Sequence, residues 1–271
     1  MPNTPLGSVV TTPYPGRIIK MGEQDKKVVK ALQERLNKIG CGPIDVDGDF
    51  GANTKSAVKL FQGRFTDAHG NPLLVDGAVG PISWSVLFGT ASVPSSGKVI
   101  LPFMKEVLRF ATTQVGVREK PLGSNRGPEV DNYIRAVGLD PRGNFAWCVA
   151  FTYFCYLTAA QKMGIANPHV KTAGVLDHWA KAGSVRGAVR VTPAMAIADP
   201  SLITPGALFI MDFGGGTGHT GIVTAVANGF ITTIEGNTNE GGSRQGIGVF
   251  QHTTRKINSI SKGFIDYSGM V

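Results

Sequence analysis

The sequence predicts an α+β protein built as a small three-helix module followed by a larger domain whose helices precede an antiparallel sheet. Three observations carry this. Between residues 25 and 89, apolar residues recur at three- and four-residue spacing in three short blocks, each separated from the next by an Asp/Gly loop. Residues 90–102 open on Thr-Ala-Ser-Val-Pro-Ser-Ser-Gly-Lys, a small, polar, Pro/Gly-punctuated stretch that marks a linker. From residue 103 the helical period returns, and beyond residue 200 it gives way to strand-like runs divided by glycines, the pattern of segregated helices and strands.

Residues 1–24 are rich in Pro, Thr and Gly and form an irregular arm. Val28, Val29, Leu32, Leu36 and Ile39 then trace one helical face that stops at Gly40. After the loop Asp45-Val46-Asp47-Gly48-Asp49-Phe50-Gly51 a second helix carries Ala57, Val58, Leu60 and Phe61, with Asn53 or Thr54 as its cap. A near copy of the loop, Asp76-Gly77-Ala78-Val79-Gly80-Pro81, leads into a third helix with Trp84, Val86 and Leu87. The larger domain, residues 103–271, starts with a helix marked by Phe103, Val107, Leu108 and Ala111 and a second marked by Val130, Tyr133 and Ile134. The run from Cys148 through Ala160 is apolar nearly all round, which places it in the core. Residues 206–212, 219–226 and 229–235 read as strands.

The chain of 271 residues has a formal net charge of +8, 42% hydrophobic and 17% charged residues, and a mean hydropathy of +0.04. No apolar run reaches the roughly 18 residues that a membrane span needs, and the N-terminus lacks the basic and apolar regions of a signal peptide. The positive charge favours an anionic partner such as the cell envelope. Nucleic acid is disfavoured, because the Lys and Arg residues are scattered and no aromatic stacking motif lies among them. The acidic loop does not fit an EF-hand, whose sixth and twelfth positions fall here on Phe50 and Ser56. Three cysteines, Cys41, Cys148 and Cys155, make neither a disulfide framework nor a zinc site, and no histidine spacing of a zinc enzyme occurs. No metal and no cofactor is expected.

The series Leu32-Gln33-x-x-Leu36, Asp47-Gly48-x-Phe50-Gly51, Thr54, Ala57-Val58, Phe61-Gln62, Asp76-Gly77-x-Val79-Gly80-Pro81 and Trp84-x-x-Leu87 resembles the type 1 peptidoglycan-binding domain. The resemblance spans residues 25–89. It implies a cell-wall glycan or peptide as partner, with Asp47, Gly48, Phe50, Gly51 and Gln62 as contacts.

Cys148 opens its apolar run directly after the turn Asp140-Pro141-Arg142-Gly143. A thiol at a helix start lies where unpaired N–H groups and the helix dipole favour its anion. A nucleophile also needs a base and a group to orient that base. Of the five histidines, His69 is in the first module, and His169, His178 and His252 sit in unpatterned or exposed-looking context. His219 instead follows Gly214-Gly-Gly-Thr-Gly218 and starts a strand, while Glu235 and Asn237 end the next one. The combination Trp147-Cys148-x-x-Phe151, Gly218-His219-x-Gly221 and Ile234-Glu235-Gly236-Asn237 resembles the CHAP family of cysteine amidohydrolases and peptidases, related to NlpC/P60 and papain-like proteins. It implies Cys148 as nucleophile, His219 as general base and then acid, and Glu235 as orienter with Asn237 able to share that task. Many CHAP members carry glutamine before the cysteine. Here Trp147 stands there, counted with the substrate-contacting residues, and it leaves only the Cys148 N–H as a named oxyanion donor.

The expectation is a peptidoglycan hydrolase acting through a thioester, either an N-acetylmuramoyl-L-alanine amidase or an endopeptidase. A non-catalytic wall-binding or phage-tail protein is the competing reading. Made without a signal peptide, the protein would reach the wall through a holin, a secretion machine paired with an immunity protein, or a virion.

Overall fold

The computed structural model describes residues 11–96, 99–242 and 246–270. The first ten residues of the arm, and Gly97 and Lys98 of the linker, lie outside the described residues. The chain divides into two compact units, one ending at Ser95 and including Ile197–Pro200 and Ala227–Gly229, the other made of the remainder.

The first unit holds three helices, α1 (Lys26–Lys38), α2 (Ala52–Arg64) and α3 (Pro81–Phe88). Asp25 caps α1, its side chain accepting from the N–H groups of Lys27 and Val28. Pro81 occupies the first turn of α3, where its missing N–H costs nothing. Leu32, Leu36, Phe50, Phe61 and Trp84 are fully buried and form the centre of the core. Residues 11–24 are irregular, yet Tyr14 and Ile19 enter this core, and Ile19 exchanges two backbone hydrogen bonds with Val79.

One expectation about α2 fails. Its N-cap is Gly51, which makes no side-chain cap bond, and neither Asn53 nor Thr54 serves. Thr54 is drawn inward instead: its hydroxyl donates to Asp49 O at 2.9 Å and accepts from Gln33 Nε2 at 3.1 Å. The hydroxyl fastens the preceding loop and so is not free to cap.

The second unit contains α4 (Pro102–Gln114), α5 (Pro128–Ala136), α6 (Cys148–Met163) and α7 (Val175–Ala182). Strand β1 (Val189–Val191), helix α8 (Pro193–Ala198) and strands β2 (Leu208–Gly214), β3 (Thr217–Ala227), β4 (Phe230–Thr238), β5 (Gly248–Lys256) and β6 (Gly263–Asp266) follow. The strands form one antiparallel sheet in the order β1-β6-β2-β3-β4-β5. Asn228 and Gly229, with φ of +54° and +82°, make the two-residue turn between β3 and β4, the positive-φ pair that a tight hairpin requires.

Helix α6 is the centre of the unit, packed against α4, α5 and β4. Most of its side chains from Cys148 to Ala160 are buried, as its all-round apolar sequence requires. Gly164, at φ +67°, ends it. Gly236 lets β4 approach the start of this helix: a Cβ there would lie 2.6 Å from Phe151 Cβ and 2.7 Å from Trp147 Cζ3.

His169 and His178 are not exposed. They are 3% and 0% accessible and stack at 4.2 Å between ring centroids, with His178 Nε2 2.8 Å from the Tyr267 hydroxyl. Burial lowers the pKa of His169 to about 3 and that of His178 well below the usual imidazole range. His169 lies on an irregular segment and His178 on the two-turn helix α7, both too short in pattern to give a periodic signature. Among the described residues, no helix is long and apolar enough to cross a membrane.

Candidate active site

The turn before α6 is built by Asp140, whose side chain accepts from the Arg142 N–H, and by Asn144 in the left-handed conformation. It delivers Cys148 to the first position of a 16-residue helix. There its backbone N–H has no partner within the helix and the dipole is positive. Cys148 is 5% accessible and lines a cleft of about 540 Å³ together with Asn125, Asn144, Gly218 and Asn237.

His219 enters from β3 and Glu235 from β4, both buried. His219 Nε2 lies 2.7 Å from Glu235 Oε2. Nε2 is thereby occupied, and Nδ1, which makes no other hydrogen bond, is the nitrogen left for the Cys148 thiol. Burial alone would lower the His219 pKa, but hydrogen bonding to Cys148 and Glu235, with the carboxylate charge, outweighs it and raises the pKa to about 9. Glycine is needed opposite: a Cβ at Gly221 would lie 2.7 Å from Glu235 Cγ and 2.9 Å from Ile234 O. The missing side chain two positions after His219 thus keeps β3 close to the carboxylate.

Glu235 has a partner with no signal in the sequence. Arg255 on β5 donates to it twice, Nε to Oε1 at 2.7 Å and Nη2 to Oε2 at 2.6 Å. The guanidinium also lies 4.8 Å from the centroid of Phe209. Thr233 Oγ1 donates to Oε1 as well. Burial pushes the Glu235 pKa up, but His219 and Arg255 together pull it down to about 2. A fully buried carboxylate is tolerable here because a bidentate cation and an imidazole satisfy it.

The remaining site residues divide by burial. Asn237, at φ +55°, faces the cleft but is not bonded to the His219 ring, whose bonded nitrogen goes to Glu235. Trp147 is fully buried, and its indole N–H donates to Glu119 Oε1 at 2.8 Å. Its side chain therefore offers no surface to a ligand.

In the first unit, Asp47 and Gly51 line a depression of about 140 Å³ with Asp45, Asp49 and Asn53. Phe50 and Gln62 are interior. Gln62 is a staple: its Nε2 donates to Asp76 Oδ1 and Ala78 O, and its Oε1 accepts from the Gly77 N–H. Gln33 does the same for the first loop, bonding Asp47 Oδ1, Asp49 O and the Gly48 N–H. Gly48, at φ +82°, also passes close to Lys26, where a Cβ would lie 2.9 Å from that residue's Cβ. The doubled signal is present in the chain, since each glutamine precedes its Asp-Gly pair by 14 residues.

Residues 140–237 match the family model of the CHAP domain, and residues 25–87 match that described as "Putative peptidoglycan binding domain". No curated protein matches the chain. Among solved structures, the "Crystal structure of Burkholderia AP3 phage endolysin" is similar at 24% identity, covering 62% of this chain and 72% of that one with a TM-score of 0.24. A superposition that loose assigns no function. The chain carries a peptidoglycan-binding domain followed by a CHAP domain, a pairing that supports a cell-wall hydrolase.

Proposed function

We propose that this chain, with its peptidoglycan-binding domain ahead of a CHAP domain, hydrolyses an amide bond of peptidoglycan by a Cys148–His219–Glu235 mechanism. The observation that carries this reading is a buried His219 ring whose Nε2 is bonded to a carboxylate that Arg255 keeps ionised, leaving Nδ1 for the thiol of Cys148. His219 Nδ1 takes the thiol proton as Sγ bonds to the amide carbonyl carbon. The Cys148 N–H stabilises the developing oxyanion. The ring then delivers its proton to the leaving nitrogen, the C–N bond breaks, and a thioester remains. A water, deprotonated by the same ring, attacks the thioester, releasing the carboxylic acid and returning the proton to sulfur. Glu235 holds the ring in the tautomer that leaves Nδ1 free and stabilises its charged form.

The first unit serves as the wall anchor. A short linker raises the concentration of wall amides around the second unit without any new contact, and the net charge of +8 favours the anionic envelope. The protein acts at the wall after release or injection, which makes a holin, a secretion machine or an immunity protein its functional partner. Mass spectrometry of fragments released from purified sacculi tests the reaction class. Hydrolysis yields a new free amine and a new carboxyl group, and their identities separate an N-acetylmuramoyl-L-alanine amidase from an endopeptidase. Fragments with neither new group would contradict it.

A further inference from the structure

Beside Cys148, two asparagines form a unit that the hydrolytic steps do not use. Asn125 and Asn144 both line the cleft, and both have φ of +53°, a left-handed conformation that asparagine tolerates better than other side chains. Asn125 Nδ2 donates to Asn144 Oδ1 at 3.0 Å. That bond uses one donor and one acceptor and leaves Asn125 Oδ1 as an acceptor and Asn144 Nδ2 as a donor, neither bonded to another described residue.

The backbone beneath this pair is anchored. The Asn125 N–H donates to Glu119 Oε2 at 3.0 Å, and the other oxygen of Glu119 accepts from Trp147 Nε1 at 2.8 Å. Glu119 is 1% accessible. One buried carboxylate thus ties the loop of Asn125 to the residue that precedes the thiol, fixing both asparagines relative to Cys148. Trp147 is therefore a brace for the cleft.

No described residue lining the cleft carries a charge, so recognition there works through neutral hydrogen-bonding groups. A neutral acceptor and a neutral donor match the two groups that secondary amides offer, an N–H for Asn125 Oδ1 and a C=O for Asn144 Nδ2. Building on the amide-hydrolase reading, we infer that the Asn125–Asn144 pair is a substrate subsite that binds a second, uncleaved secondary amide of the wall beside the scissile one. Peptidoglycan contains such amides in its peptide links and in the acetamido groups of its sugars.

The test is the clearing rate of the full chain against sacculus concentration for Asn144→Asp, Asn144→Gly and Asn125→Gly. Asn144→Asp still accepts from Asn125 but replaces the free donor with a carboxylate, so the glycine variants, which keep the left-handed backbone and remove the amide without adding charge, give the neutral comparison. Losing one neutral hydrogen bond should raise the apparent KM roughly 2- to 12-fold with the maximal rate unchanged, the signature of a binding contact. Sacculi chemically stripped of N-acetyl groups separate the two sources. A wild-type to Asn144→Gly ratio that collapses to one assigns the sugar acetamide, and a ratio that persists assigns a peptide link. Apparent KM values within error of wild type for all three variants on native sacculi would overturn the subsite. Clearing by a Cys148→Ala control would instead overturn the hydrolytic reading on which the subsite rests.

Discussion

Replacing Arg255 with methionine removes both charge-assisted donors from Glu235 while keeping most of the side-chain volume. The fully buried carboxylate then keeps only His219 and Thr233. Two hydrogen bonds to a charged group at 2.7 and 2.6 Å are lost at about 1.5–3 kcal/mol each, in line with about 3–5 kcal/mol for breaking a buried ion pair from one side. For a unit of this size about 1 kcal/mol corresponds to roughly 2–4 °C. The Tm by calorimetry at pH 7 should therefore fall by roughly 6–20 °C. The sign of the pH dependence is set by the depressed pKa of Glu235, about 2 in the folded protein against about 4.3 unfolded. Its stabilisation is complete above the unfolded value and is lost as pH falls through the folded one. The gap between wild type and Arg255→Met should accordingly be widest near neutrality and narrow below about pH 4.3. A fall of less than about 2 °C at pH 7, or a gap that widens on acidification, would refute the clamp.

The same packing sets further outcomes. Gly236→Ala forces a Cβ against Phe151 and Trp147, so it should cost about 1–3 kcal/mol by chemical denaturation and reduce clearing by parting β4 from the Cys148 helix; an unchanged denaturation midpoint would count against that crossing. Gln33→Ala leaves the Gly48 N–H unpaired in the interior and should destabilise the first unit by about 1–3 kcal/mol, read as weaker binding to sacculi with the second unit's melting unchanged. The raised pKa of His219 means the ring holds the proton it takes from the Cys148 thiol up to about pH 9. Stability owed to its protonated form is fully present below the unfolded value of about 6.5 and is lost as pH rises through about 9. Clearing should likewise fall on the alkaline side with a midpoint near 9, and a midpoint near 6.5 in a pH–rate profile would refute the pairing with Glu235.

The parts of the site that are legible in the sequence are those set by local order. Cys148 after its turn, His219 at a strand start and Glu235 one strand on can be read in a line, because a helix start and adjacent strands of a hairpin are near-neighbour features. Arg255 could not be read this way. It reaches back to Glu235 from β5, 20 residues further along the chain, and strand-to-strand pairing leaves no spacing rule that selects one arginine from many. Glu119 is hidden for the same reason, 28 residues before the indole it binds. The motif residues Phe50 and Gln62 show a different limit. A signature position records that a residue type is required, but core packing and loop fastening require it as strictly as ligand contact does, and only burial separates the three. His169 and His178 look exposed in the sequence because a polar residue buried from an irregular segment or from an eight-residue helix leaves no periodic trace.

The central claim is tested most directly by clearing of purified sacculi by full-length Cys148→Ala and His219→Ala, with pull-down on the same sacculi as a control. The account predicts that both variants still bind through the first unit and that neither clears. Clearing by the Cys148→Ala protein at a rate near that of wild type would contradict it.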